Sequence, residues 1–243
     1  MSVHILKKGL CLAVVMAFNL GSPAALSEDS MHQEKLPSNL IVMRDGMALD
    51  HVALVTPDLD ASLDMIEQTL GVRPLDLGVF GSQRRAAGRI GTESFLEIIG
   101  PAENSAGTQD PVIQVALELS TPRLLFWYAA VSDFDRYAAH ATAAKLPLQM
   151  IQHIQSNDYE YTIGGPEGII HTPVVPWFIE WTKPSPALDW PTLGKLLEFR
   201  LEHPKPAQAQ SKLDALKVPA KVYPGAAPRL RLRLQGPAGE LAL

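Results

Sequence analysis

Three ionisable side chains, those of His51, Glu97 and Glu180, lie in the middle of apolar segments that are typical of β-strands. The predicted strands are Leu49–Val55, Phe95–Ile99 and Trp177–Trp181. A carboxylate at such a position costs several kcal/mol unless it is paired, hydrogen-bonded or bound to a cation. The pattern therefore predicts that something satisfies these carboxylates, and a metal site, a proton-transfer site or an ion pair would each do so.

Each of the three residues has a structural alternative to a role in chemistry. His51 could be a strand histidine that hydrogen-bonds a neighbouring group. Glu97 could pair with an arginine across a hairpin, and Glu180 could form a structural ion pair instead of lining a cleft. The candidate partners of Glu97 are Arg84, Arg85 and Arg89.

The composition excludes several other chemistries. Only one of the 243 residues is a cysteine, Cys11, so no intramolecular disulfide and no cysteine-based zinc site can form. Any metal would need histidine and carboxylate ligands. The net charge is −5, whereas a general nucleic-acid binder carries a positive surplus, so no nucleic-acid partner is expected. The chain also lacks the glycine-rich nucleotide loops, the Gly-x-Ser-x-Gly turn and the His-Glu-x-x-His helix.

The N-terminus is typical of an export signal, which we predict over residues 1–27. Lys7 and Lys8 precede the apolar run Gly9–Leu20, and small residues suited to cleavage follow this run. The run is short for a bilayer span, which needs about 20 residues, so no stable membrane span is expected after processing. We expect a periplasmic or secreted protein, and a cytoplasmic protein that starts at Met47 is the alternative.

The remaining chain repeats the order of one strand, one helix and further short strands. We predict a polar linker over residues 28–47 and one domain over residues 48–243. We divide this domain into a first module, 48–112, and a second module, 113–243. A third occurrence of the strand-helix-strand order lies at the C-terminal end of the second module.

Local signals assign caps and strand faces. Asp58 is a predicted helix N-cap, and Gly71 is the predicted C-cap of the same helix. Alternation places His51 on the strand face opposite to Val52. By the same rule, Glu180 shares its face with Phe178.

Three short motifs follow one another in the chain, and they resemble parts of a known family. They are residues 49–60, which begin Leu-Asp-His-Val-Ala-Leu-Val, then Phe95–Pro101 and Pro176–Trp181. The first resembles the opening strand of a module in the vicinal oxygen chelate superfamily. The second is similar to the closing strand of that module, and the third to the closing strand of the second module in the glyoxalase-like domain branch.

This resemblance implies an α+β fold in which paired βαβββ modules form curved mixed β-sheets around a cleft. Many relatives hold a divalent metal ion there, and by position the ligands would be His51, Glu97 and Glu180. One of the two carboxylates could instead act as a general base. The fourth ligand position falls near Phe126 or Trp127, and neither side chain can bind a metal. The metal would be Mn, Mg, Fe or Zn.

The implied function is a metal-dependent enzyme of the lyase, isomerase or dioxygenase type that acts on a small oxygen-bearing molecule. The alternative is a metal-free protein that binds or sequesters a small molecule, as bleomycin-resistance proteins do, and the absent fourth ligand favours it. Either function predicts a small-molecule partner, and a homodimer stays open.

The reserve metal ligands are His153 and His171. The aromatic residues that could line a cleft are Trp127, Tyr128, Trp177, Phe178 and Trp181.

Overall fold

The computed structural model describes residues 47–156, 159–166 and 173–243. These ranges contain twelve β-strands, four α-helices and a short 3-10 helix at Pro186–Asp189, which confirms the predicted α+β class. None of the helices in these ranges is long and apolar enough to cross a membrane. The predicted signal, 1–27, and all of the predicted linker except Met47 lie outside the described residues.

The first half of the domain is a βαβββ unit. It comprises β1 (Met47–Val55), α1 (Leu59–Leu70), β2 (Leu75–Phe80), β3 (Gln83–Arg89) and β4 (Phe95–Pro101). The strands lie in the order β2-β3-β4-β1, and β1 and β4 are parallel. Both predicted caps of α1 are confirmed. Asp58 Oδ1 accepts a hydrogen bond from the Ala61 amide at 3.0 Å, and Gly71 adopts the left-handed conformation with a φ of 80°.

A helix that the sequence did not predict connects the two halves. Helix α2 (Pro111–Glu118) follows Asp110, whose Oδ1 accepts a hydrogen bond from the Val112 amide at 2.9 Å. Pro111 is well suited to the first helical position, where an amide hydrogen would have no intrahelical partner. Ile113 of α2 is buried against the large sheet, and this packing holds the short helix in place.

The second half repeats the topology of the first. It comprises β5 (Arg123–Val131), α3 (Phe134–Ala143), β6 (Leu148–Gln155), β7 (Glu160–Pro166) and β8 (Trp177–Trp181). The strands lie in the order β5-β8-β7-β6, and β5 and β8 are parallel. Antiparallel pairing of β1 with β5 joins the two halves into one eight-stranded sheet. The paired βαβββ modules are thus confirmed.

The C-terminal unit forms a separate four-stranded sheet. It comprises β9 (Lys195–His203), α4 (Pro206–Ala215), β10 (Val222–Pro224), β11 (Arg229–Gln235) and β12 (Glu240–Ala242). The order of the strands is β10-β9-β11-β12. The predicted strand-helix-strand unit is present, but β9 pairs in parallel with the strand directly after its helix, whereas β1 pairs in parallel with the last strand of its module.

The main hydrophobic core lies between the helix-covered face of the large sheet and the small sheet. Val52 of β1 belongs to this core, and the rings of Trp127 and Phe199 meet edge-on there at 5.3 Å. Ala53 faces the other way, into a second cluster with α2. This second face also carries His51, as alternation predicts, and we call it the site face.

The turn between β11 and β12 fits closely on the end of α1. A Cβ atom on Gly236 would lie 2.5 Å from the carbonyl oxygen of Leu70, which accepts a hydrogen bond from the Ala238 amide at 3.0 Å. We expect Gly236→Ala to lower the free energy of unfolding by about 1–3 kcal/mol, because a backbone oxygen cannot move aside cheaply.

Gly91→Ala is the matched control, since nothing lies within 4 Å of the added Cβ atom. This variant should leave the free energy of unfolding unchanged or slightly raised. Urea denaturation compares the two variants. Equal stability of both would contradict the close docking of the C-terminal sheet on α1.

Candidate active site

The parallel pairing of β1 with β4 brings His51 and Glu97 together. In the observed register, His51 lies beside Phe95 and Ala53 lies beside Glu97, so the two ionisable side chains share the site face. His51 Nε2 lies 3.7 Å from Glu97 Oε2, and both residues are buried. Two of the three predicted site residues therefore converge.

Asp50 fixes the orientation of the His51 ring. His51 Nδ1 and Asp50 Oδ1 are 2.5 Å apart, and Asp50 Oδ2 accepts a hydrogen bond from the indole Nε1 of Trp181 at 2.7 Å. Because a carboxylate only accepts hydrogen bonds, a neutral His51 carries its proton on Nδ1. The lone pair on Nε2 is then directed to the side of Glu97.

Sequence reasoning missed Asp50 as a site residue. In the pairing of β1 with β5, the register shifts between Leu49 and His51, and such a bulge re-aims a side chain. Regular alternation would instead send the adjacent Asp50 and His51 to opposite faces. The only signal in the sequence was the presence of an acidic residue next to a candidate histidine.

Aromatic rings enclose the imidazole of His51 on both sides. The ring of Phe95 stacks on it at 4.3 Å with an interplanar angle of 12°, and the ring of Tyr128 stacks at 3.7 Å and 19°. Trp190 packs edge-on against Phe95 at 5.0 Å. Burial, together with the charge of Glu97, raises the pKa of Tyr128 far above its usual range, so the hydroxyl stays protonated.

Arg85 of β3 is the partner of Glu97. Its Nη1 donates a hydrogen bond to Glu97 Oε1 at 3.1 Å, and its Nε donates to Gln83 Oε1 at 2.7 Å. Burial lowers the pKa of Arg85, but the charge of Glu97 raises it, and the net pKa is raised. The pair is the alternative that the sequence left open for Glu97, and it keeps a positive charge next to this carboxylate.

The structure does not bring Glu180 to His51 and Glu97. Glu180 shares its strand face with Phe178, whose ring stacks on Tyr137 of α3 at 5.5 Å in the main core. Glu180 Oε2 accepts a hydrogen bond from the Phe134 amide at 3.2 Å. Phe134 is the first residue of α3, so Glu180 satisfies a free amide at a helix N-terminus.

This arrangement corrects the predicted grouping of His51, Glu97 and Glu180 in one site. Alternation correctly gave the residues that share a face with Glu180, but that face lies against α3. Glu180 is therefore not placed to act as a ligand or a base together with His51.

The reserve ligands do not extend the site. His153 is exposed, and its Nε2 lies 3.5 Å from Glu160 Oε1. His171 lies outside the described residues. Of the predicted aromatic lining, Tyr128 and Trp177 contact the cluster on the site face and Trp181 reaches Asp50, but Trp127 and Phe178 belong to the main core.

The described residues do not fit the expected metal centre. Only His51 Nε2 and Glu97 Oε2 face each other, and the guanidinium of Arg85 already holds the other oxygen of Glu97. Phe126 and Trp127, at the fourth ligand position, carry no suitable donor. Within the described ranges, there is no group of three or more His, Cys, Asp or Glu side chains that could hold a metal ion.

The paired βαβββ modules agree with a family assignment. A family model described as a glyoxalase-like domain matches residues 49–217. The chain belongs to this family, within the vicinal oxygen chelate superfamily that the motifs resemble. No curated protein matches the chain.

Solved structures with similarity to this chain have low sequence identity to it. A hypothetical protein from Staphylococcus aureus matches with a TM-score of 0.51 and 10% identity, over 81% of this chain and 98% of that chain. Methylmalonyl-CoA epimerase from Mycobacterium tuberculosis matches with a TM-score of 0.42 and 18% identity, over 64% and 96% of the two chains. At 10% identity, the likeness to the Staphylococcus aureus protein concerns the fold alone.

Trp181 has a matched control in its own strand. Trp181→Phe removes the donor to the buried Asp50, whereas the Nε1 of Trp177 has no partner among the described residues. We expect Trp181→Phe to lower the free energy of unfolding by about 1–3 kcal/mol more than Trp177→Phe, because it leaves a buried acceptor unsatisfied. Equal losses in urea denaturation would show that Trp181 does not hold Asp50.

Proposed function

We propose that this protein is an acid–base enzyme of the isomerase or lyase type that acts on a small carbonyl-bearing molecule. His51 is the group that moves the proton. The observation that carries the proposal is the buried pair of Asp50 and His51, with Nε2 of the imidazole left without a hydrogen bond on the side of Glu97. An imidazole that a carboxylate holds through Nδ1 has the geometry of a general base.

The proposed reaction begins when Nε2 of His51 takes a proton from the carbon beside the substrate carbonyl, which leaves an enolate. Asp50 and Glu97 both stabilise the imidazolium that forms, since their carboxylates lie at its two nitrogen atoms. The proton then returns to a different atom in an isomerisation, or it departs with a leaving group in an elimination. The protonated hydroxyl of Tyr128 can donate a hydrogen bond to a negative oxygen.

A binding protein without turnover is the second candidate, and the aromatic surroundings favour it. Phe95 and Tyr128 cover both faces of the imidazole, and the ring of Trp177 lies 6.0 Å from that of Tyr128. Apolar rings with a few fixed polar groups are typical of small-molecule sites. Such a protein would hold the same class of molecule and release it unchanged.

Exchange of hydrogen at carbon distinguishes the two candidates. The protein is incubated in heavy water with small ketones and 2-oxo acids, and proton NMR follows the positions beside each carbonyl. We expect deuterium incorporation with the unmodified protein. His51→Gln and Asp50→Asn should slow this exchange about 100-fold or more, because the base is lost or takes the wrong tautomer.

The control for this experiment is His153→Gln, which changes an exposed histidine of β6 and should leave the exchange rate unchanged. Circular dichroism verifies that each variant is folded. Exchange that persists in His51→Gln would overturn the assignment of the base. Tight binding without exchange in every compound would overturn the enzyme and favour the binding protein.

We also propose that the protein is exported, on the basis of the charged, apolar and small-residue segments within residues 1–27. N-terminal sequencing of protein from its native host should then begin at Ala25 or Glu28. Retention of Met1, or a start at Met47, would contradict export by this signal.

A further inference from the structure

The side chain of Arg85 contacts the buried Glu97 and is itself partly open to solvent. Arg85 pairs with Ile99 across the β3–β4 hairpin and Ala87 pairs with Glu97, so Arg85 and Glu97 share the site face. The side chain of Arg85 is 36% exposed, whereas those of Glu97 and His51 are 10% and 7% exposed. A molecule that approaches Glu97 from the side of Arg85 therefore meets the guanidinium first.

The guanidinium of Arg85 has hydrogen-bonding capacity left over. Its Nη1 is used by Glu97 and its Nε by Gln83, but Nη2 has no acceptor among the residues that the structure describes. The guanidinium carbon lies over the ring of Phe80, 5.4 Å from the ring centroid, and this contact supports one face of the planar group. An arginine held in this way presents free N–H donors in a fixed plane.

This charge lies beside the place where the metal was expected. Glu97 is a predicted metal ligand, yet its Oε1 is taken by Arg85. A divalent cation at Glu97 would lie within a few ångströms of the guanidinium and would be repelled by it. Arg85 thus supplies a permanent positive charge at Glu97, where the metal ion was expected to supply one.

We infer that Arg85 takes the place of the metal ion and binds a carboxylate group of the substrate. The inference rests on the proposed function and narrows its substrate to small 2-oxo acids or similar anions. The free Nη2 can donate to a carboxylate oxygen of the substrate while Nη1 serves Glu97.

The test compares phenylpyruvate with its methyl ester, which lacks the negative charge, by tryptophan fluorescence and calorimetry. The unmodified protein should bind the acid about 10- to 100-fold more tightly than the ester. Arg85→Gln should abolish this preference, and Arg85→Lys should restore only part of it because an ammonium group lacks the planar fork.

Arg84→Gln is the matched control, since the neighbouring Arg84 points to the helix side, where it pairs with Asp60 and Asp76. It should keep the full preference for the acid. Arg85→Gln leaves the buried carboxylate of Glu97 without its partner. The double variant Arg85→Gln/Glu97→Gln removes both charges and avoids this problem. This double variant should also show no preference for the acid.

Three outcomes would overturn the inference. The first is equal binding of the acid by the unmodified protein and Arg85→Gln. The second is the absence of any preference for the acid in the unmodified protein, including a failure to bind either compound. The third is stoichiometric binding of Mn²⁺ that is lost in Glu97→Gln. Electron paramagnetic resonance measures this binding.

The inference and the proposed function fail separately. Arg85-dependent binding of the acid without His51-dependent exchange would leave the anion site in place and remove the acid–base reaction. His51-dependent exchange on neutral ketones, with no effect of Arg85→Gln on binding of the acid, would leave the acid–base reaction in place and remove the anion site.

Discussion

The buried hydrogen bond between Asp50 and His51 is the constraint on which the site depends. The two residues are 4% and 6% exposed, and ionisable groups in such surroundings are costly unless their polar atoms find partners. Trp181 satisfies the second oxygen of Asp50, and Arg85 satisfies the Glu97 that faces the imidazole. These partners form one network, because the loss of any member leaves another buried polar group alone.

Strand order explains how distant segments supply this network. Strand β1, which carries Asp50 and His51, lies at the middle of the large sheet between β4 and β5. Glu97 comes from β4, and Arg85 comes from β3 beyond it, so the first module supplies the charges on one side. Trp181 comes from β8 beyond β5, so the second module holds the carboxylate from the other side. The site exists only because β1 and β5 join the two modules.

Local rules made much of the fold predictable, because caps and alternation depend on near neighbours. Asp58 caps α1, and β1 alternates between its two faces from His51 onward, as expected. The site was only partly predictable. Alternation gives the residues that share a face with Glu180, but tertiary packing decides that this face meets α3. The bulge that joins Asp50 to His51 depends on pairing with β5, which no spacing in the sequence reveals.

The tautomer of His51 tests the central claim most directly, and nitrogen-15 NMR of the imidazole measures it in the intact protein. If Asp50 holds Nδ1, the neutral ring carries its proton on Nδ1 and leaves Nε2 bare, and Asp50→Asn changes this signature. A proton on Nε2 in the neutral ring of the unmodified protein would contradict the account, since the proposed base would then have no lone pair to accept a proton.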